Sequence, residues 1–175
     1  MSAPQTKWFD RKFDFNVEQN IFPSIIERLR GTPARLEEKI QRIPENVLTS
    51  KVNGTWSIKE NVGHLIDLEP LWMERLQDIL NKETFLRTAD LSNTKTHQAN
   101  HNATDIHDLL KTFRTERQIT VRRLELLTEK EVYLSALHPR LKTPMRMMDH
   151  FLFVAEHDDH HLVTITKIIQ TLHQS

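Results

Sequence analysis

The 175-residue chain has no cysteine, three glycines and one tyrosine. Without cysteine there is no disulfide, thiolate-held zinc, iron–sulfur cluster or thiol nucleophile, so a metal site has to be built from histidine and carboxylate. So little glycine argues against the many tight turns of sheet-built folds and for long helices with few connections. It also excludes a Gly-rich loop that cradles phosphate. Charge of one sign is not in excess: 24 Lys and Arg stand against 24 Asp and Glu. A basic surplus marks most nucleic-acid binders, and no nucleic-acid partner is expected. No apolar run approaches the ~18 residues of a membrane span. Residues 1–5 lack the basic-then-apolar pattern of a signal peptide. The length fits one domain over residues 1–175, and a cytoplasmic location without membrane attachment is expected.

Histidine is abundant instead, with ten in the chain. Residues 1–17 carry Trp8, Phe9, Phe13 and Phe15 without a clean period and read as an N-terminal arm packed on the body. Phe22, Ile25, Leu29, Leu36, Ile40 and Ile43 keep helical phase across Gly31-Thr32-Pro33. That continuity predicts one helix over 19–43, kinked near Gly31 and stopped by Pro44. Ser57 and Glu60 have the spacing of a capping box and open a second helix over 57–81, striped by Ile58, Val62, Leu65, Trp72, Leu76 and Ile79. Residues 82–103 are polar and aperiodic, a connection longer than the usual ~12–15-residue limit. A third helix begins at Thr104-Asp105, and Thr128 with Glu131 forms a second capping-box pattern. Thr143-Pro144 reads as the N-cap and first residue of a last helix over 144–173. Four long amphipathic helices predict an all-α, four-helix bundle in which the 82–103 segment is a long crossover connection.

At 100° per residue, His157 and His161 project from one edge of the last helix's apolar stripe, while His160 points outward. His64 lies on a stripe edge of the second helix. The three imidazoles can meet at a helix seam and hold a divalent ion with an open coordination position. Zn²⁺ or Ni²⁺ is expected, with Fe²⁺ and Mn²⁺ as alternatives. The competing reading is that carboxylates such as Glu156, Asp158 and Asp159 satisfy these histidines. Asp67 and Glu60 are candidates to orient His64, although Glu60 already has a capping role. Glu69, Arg117 and Asp158 are charges inside apolar stripes and need either each other or water. His97 and His101 fall in the long connection and are expected to be solvated. His150 shares the His157 edge as a candidate auxiliary. Unperturbed imidazoles titrate near ~6.5, so acid below about pH 6 is expected to expel the ion. No Glu-x-x-His motif supports a di-iron site, and no paired carboxylates suggest glycosidase chemistry.

The segment Trp56-Ser57-Ile58-Lys59-Glu60-Asn61-Val62-Gly63-His64-Leu65-Ile66-Asp67, followed by Trp72 and Arg75, resembles the first motif of the DinB/YfiT-like superfamily. Val154-Ala155-Glu156-His157-Asp158-Asp159-His160-His161 resembles the second, and the resemblance spans about residues 20–172. It implies a four-helix bundle with a divalent metal on His64, His157 and His161. It further implies a metal-dependent hydrolase or a thiol S-transferase, a small-molecule substrate that includes a low-molecular-weight thiol in the second case, and a homodimer. A non-catalytic metal-binding or interaction bundle is the alternative. One departure stands at Ile165, where many relatives carry Gln, and is expected to alter the pocket rather than the triad.

Overall fold

The computed structural model describes residues 4–173. Four long helices form the body: α1 (Phe22–Ile40), α3 (Ile58–Leu80), α5 (Ile106–Glu125) and α7 (Met147–His173). Three short helices, α2 (Glu45–Leu48), α4 (Thr94–Gln98) and α6 (Glu129–Val132), lie in the connections. A two-stranded antiparallel ribbon pairs β1 (Ser135–Leu137) with β2 (Pro144–Arg146). Both α1 and α3 pack on α5 and α7.

Two apolar clusters give the helices their directions. One holds Phe22 to Leu29, Trp72 to Ile79, Val121, Leu124 and Met147 to Ala155. The other holds Leu36, Ile40, Ile58 to Leu65, Ile106 to Phe113 and Leu162 to Ile168. Chain order through the two clusters is the same for α1 and α7 and reversed for α3 and α5. Consecutive bundle helices α3 and α5 therefore run parallel, which forces the chain to travel back along the bundle between them. The long connection between them is that return path.

A polar layer separates the clusters. Arg117 on α5, 1% exposed, pairs with Glu69 on α3 at 2.6 Å and with Asp158 on α7. It also lies 3.4 Å from the Leu29 carbonyl on α1. That carbonyl is the one Pro33 leaves without its helical donor, since proline has no N–H to give to residue i−4. Arg117 thus reaches all four bundle helices and replaces the bond that a proline inside α1 removes. The expected ion pairs within the stripes are present, and Leu29 and Leu36 are both fully buried. α1 runs through Gly31-Thr32-Pro33 without interruption but ends at 22 and 40, inside the expected 19–43. The Thr32 hydroxyl donates to Asp158 Oδ2 at 3.0 Å.

The last helix begins later than expected. Pro144 belongs to β2, and α7 starts at Met147. The Asp149 carboxylate accepts from the Arg146 backbone N–H at 2.9 Å, capping the helix at that point instead of Thr143. Residues 1–3 of the N-terminal arm lie outside the described residues. From residue 4 the arm is largely extended; Trp8, Phe13 and Phe15 pack against the first cluster and Arg11 pairs with Glu156.

Candidate metal centre

Three imidazoles converge where α3 faces α7. The Ser57/Glu60 capping box starts α3 at Ile58, which places His64 two turns into the helix. His157 and His161 follow one another by a turn on α7. All three are buried, between 4 and 7% exposed. One donor atom from each lies within 4.8 Å of the other two.

Hydrogen bonds fix which nitrogen faces inward. The Asn61 amide nitrogen donates to the Ser57 carbonyl at 2.7 Å, which leaves Asn61 Oδ1 to accept from His161 Nδ1 at 2.8 Å. The His161 proton is therefore on Nδ1, and Nε2 presents a lone pair. Thr96 on α4 donates to Asp67 Oδ2 at 2.9 Å and so accepts from His64 Nδ1 at 3.0 Å. His64 Nε2 is likewise free to bind. His157 Nε2 stands 3.3 Å from His161 Nε2. Two nitrogens at ~2.0–2.1 Å from one tetrahedral ion are about 3.3 Å apart, so the spacing suits Zn²⁺-like coordination. His157 Nδ1 is buried without a hydrogen-bond partner among the described residues.

Burial keeps the rings neutral, the form that ligates. It pushes His64 down to about 4, and the nearby His101 and His97 add to this against the opposing pull of Asp67. Burial also holds His157 and His161 well below the ordinary histidine range, with neighbouring histidines repelling the charged form of each. All three tryptophans of the chain touch the triad: Trp8 and Trp72 flank the His157 ring at 4.9 and 5.8 Å, and Trp56 lies 4.6 Å from His64. The left-handed pair Asn53-Gly54 turns the chain into Trp56. The triad opens on a cavity of about 640 Å³ walled by Trp8, Trp56, Trp72 and Phe153.

The structure brings His64, His157 and His161 together and distributes the other candidates differently. Asp67 orients His64 through Thr96 rather than directly. Glu60 does not reach His64; its carboxylate accepts from the Ser57 N–H at 2.8 Å and pairs with Lys51. Asp158 and Arg117 belong to the four-helix ion-pair layer and touch no triad ring by hydrogen bond. His101 is not solvated: it is 7% exposed and donates from Nε2 to Asp67 Oδ2 at 2.9 Å. His97 is exposed but edges the cavity. His160 is half-buried under the arm, where the Gln5 amide lies 2.9 Å from its Nδ1, rather than facing water. His150 is fully buried against the Trp72 carbonyl and is no part of the triad. Ile165 is a fully buried core residue outside the cavity wall. Thr96 escaped sequence reasoning because it sits in an aperiodic segment. Asn61 was visible beside His64, but its partner is His161, a hundred residues away.

The sequence pattern of the DinB superfamily matches residues 28–165, most of the chain and all three histidines. The chain belongs to the DinB superfamily. Among solved structures it is similar to YfiT from Bacillus subtilis, described as a probable metal-dependent hydrolase with an unusual four-helix bundle topology. The TM-score is 0.81 at 20% identity, with 93% of each chain covered. At that identity the likeness establishes a shared four-helix bundle. A search of the curated proteins gives no match.

Proposed function

We propose that this DinB-superfamily chain is a metal-dependent enzyme acting on a small molecule, and that hydrolysis is its reaction. The observation that carries this reading is the convergence of three neutral imidazoles, two of them oriented by hydrogen bonds, beside a cavity large enough for a small ligand. The description of YfiT as a probable metal-dependent hydrolase supports it. A divalent ion on His64, His157 and His161 would supply Lewis acidity, polarising a substrate oxygen and acidifying a water or thiol.

The chain's own residues do the rest. Asn61 and Thr96 lock two ligand rings so that their lone pairs meet without reorganisation. Trp8, Trp56 and Trp72 exclude bulk water from the space around the triad. Gln5 donates to His160 Nδ1, which leaves the His160 proton on Nε2 at the cavity wall.

Thiol S-transfer is the second reading, and one observation favours it. Asp90 is the one carboxylate in the described cavity wall, and Ser92 and Thr94 occupy its oxygens. Activating water usually enlists a free base, whereas a thiol of pKa ~8.5 ionises readily beside a cation. The thiol would be a low-molecular-weight co-substrate, because the chain has no cysteine. The homodimer implied by the family belongs to the same proposal and is tested by light scattering.

The deciding experiment assays Zn²⁺- and Ni²⁺-loaded protein on a panel of esters, amides and soft electrophiles, with and without an added thiol. Metal-dependent turnover that vanishes in His161→Ala supports the reading, and thiol dependence selects S-transfer. Turnover that is equal in His161→Ala and wild type contradicts both.

A further inference from the structure

We propose that Arg75, His138 and Arg140 form an oxyanion-binding subsite in the same cavity, beside the histidine triad. The substrate would then be a small molecule with a carboxylate or phosphoryl group at one end. The assignment of the other end to the triad rests on the function proposed above; the subsite itself does not.

Several donors in the cavity wall lack acceptors among the described residues. Arg75 on α3 is 2% exposed, yet among the described residues no carboxylate pairs with it. Its Nε donates to the Arg87 carbonyl at 3.1 Å, which anchors the side chain and leaves the two terminal nitrogens for other work. Nη1 lies 3.4 Å from His138 Nε2. His138 is also 3% exposed, and its Nδ1 accepts from the backbone N–H groups of Arg140 and Leu141 at 3.2 and 3.1 Å. An Nδ1 that accepts twice puts the ring proton on Nε2. The Arg75–His138 approach is therefore donor facing donor, and what it lacks is an acceptor. Arg140 adds Nη2, which is buried with no partner among the described residues, and Trp72 adds an indole N–H in the same condition. All four side chains line the cavity.

Electrostatics agree with the geometry. Burial, together with the nearby Arg140 and Arg87, pulls Arg75 down to about 10 against the attraction of Asp78. Burial lowers Arg140 as well. His138 is held near 4 by burial and by both arginines, so it stays neutral and donates. The acids close by are already engaged. Asp78 binds Arg87 through both oxygens, and Asp90 binds Ser92 and Thr94. The buried Arg75 guanidinium and the half-buried Arg140, neither with a counter-ion among the described residues, are costly to keep charged unless something anionic arrives. Guanidinium forks match carboxylate and phosphate oxygens, which identifies the missing group.

Position links the subsite to the triad. The Trp72 ring lies 5.7 Å from the Arg75 guanidinium carbon and 5.8 Å from the His157 ring, so one indole separates the two poles. Phe9, under the Arg140 guanidinium at 5.2 Å, and Phe153 make the remaining wall apolar. A ligand with an oxyanion, a short apolar or aromatic middle and a reactive group toward the triad fits these walls in order.

The test measures binding of inorganic phosphate, benzoate and the neutral analogue benzamide by calorimetry, on chelator-treated protein and on His64→Ala. Phosphate or benzoate should bind wild type at least about tenfold more tightly than benzamide, as a charge-assisted fork requires. Arg75→Gln and Arg140→Gln should each weaken anion binding about tenfold or more. Arg114→Gln, on an outer ion pair with Glu37, should leave it unchanged. Arg140→Gln keeps the Arg75 anchor intact and decides the matter if Arg75→Gln does not fold. The tighter of phosphate and benzoate identifies the group. Anions that bind no better than benzamide overturn the subsite. So does an Arg140→Gln affinity equal to wild type, or anion binding lost in His64→Ala. If anion binding behaves as expected while the turnover panel stays silent, the subsite stands and the hydrolase reading fails.

Discussion

Neutral imidazole ligates and imidazolium does not, so the triad's behaviour in acid follows from what burial does to each ring. A histidine whose folded pKa lies below its unfolded value of ~6.5 contributes stability that is complete above that value and is lost as pH falls toward the folded one. His64 is pushed down to about 4, and His157 and His161 are also lowered. Metal-free protein should therefore lose stability steadily from about pH 6.5 downward. Folded rings stay able to ligate well below the value of about 6 that unperturbed histidines suggest. The difference in Tm between metal-loaded and metal-free protein should persist at pH 5.5 and disappear near pH 4; its complete loss by pH 6 would contradict the burial argument. Orientation acts at the same scale. Thr96→Val keeps the shape but removes the acceptor for His64 Nδ1 and the donor to Asp67. It should weaken Zn²⁺ binding about tenfold or more in a chelator competition, with the helical circular dichroism unchanged.

Among the elements, what could be read in advance is what repeats. The apolar stripes of α3 and α7 place His64, His157 and His161 on stripe edges, which periodicity recovers; that the three edges face one another comes from the family resemblance and is seen in the fold. The connection between α3 and α5 has no period, and its contributions are single long-range contacts: Thr96 on His64, His101 on Asp67. Thr143-Pro144 carries the local signature of a helix start. Strand pairing of Ala136 with Met145 across the hairpin overrides it, because three-residue strands are too short to show an alternating pattern. Gly63 shows how tightly the connection is held. A methyl group built on it would overlap the His101 ring. Gly63→Ala should therefore expel His101 and loosen residues 94–103, although alanine favours a helix by ~1 kcal/mol. The expected result is a loss of about 1–3 kcal/mol in denaturant unfolding, with faster hydrogen exchange in that segment. A stabilised variant with an unchanged exchange pattern would show that the contact is slack.

For the whole molecule, the bundle has two apolar halves joined by one charged layer, and the candidate metal centre sits beside that layer. Arg117 is the residue that all four long helices share. Replacing it with Met leaves Glu69 and Asp158 buried without a counter-charge and should cost about 3–5 kcal/mol of unfolding free energy. A loss below about 1 kcal/mol, the range of an exposed pair, would mean that water reaches the layer. The central claim is that three histidines from two helices, and no others, hold a divalent ion. It is tested most directly by metal analysis after equilibrium dialysis against Zn²⁺ and against Ni²⁺. Wild type and His160→Ala should each retain about one ion per chain, the stoichiometry of a mononuclear site. His64→Ala, His157→Ala and His161→Ala should each keep their helical spectrum and lose the ion. Equal metal content in the wild type and the three triad variants would contradict the account.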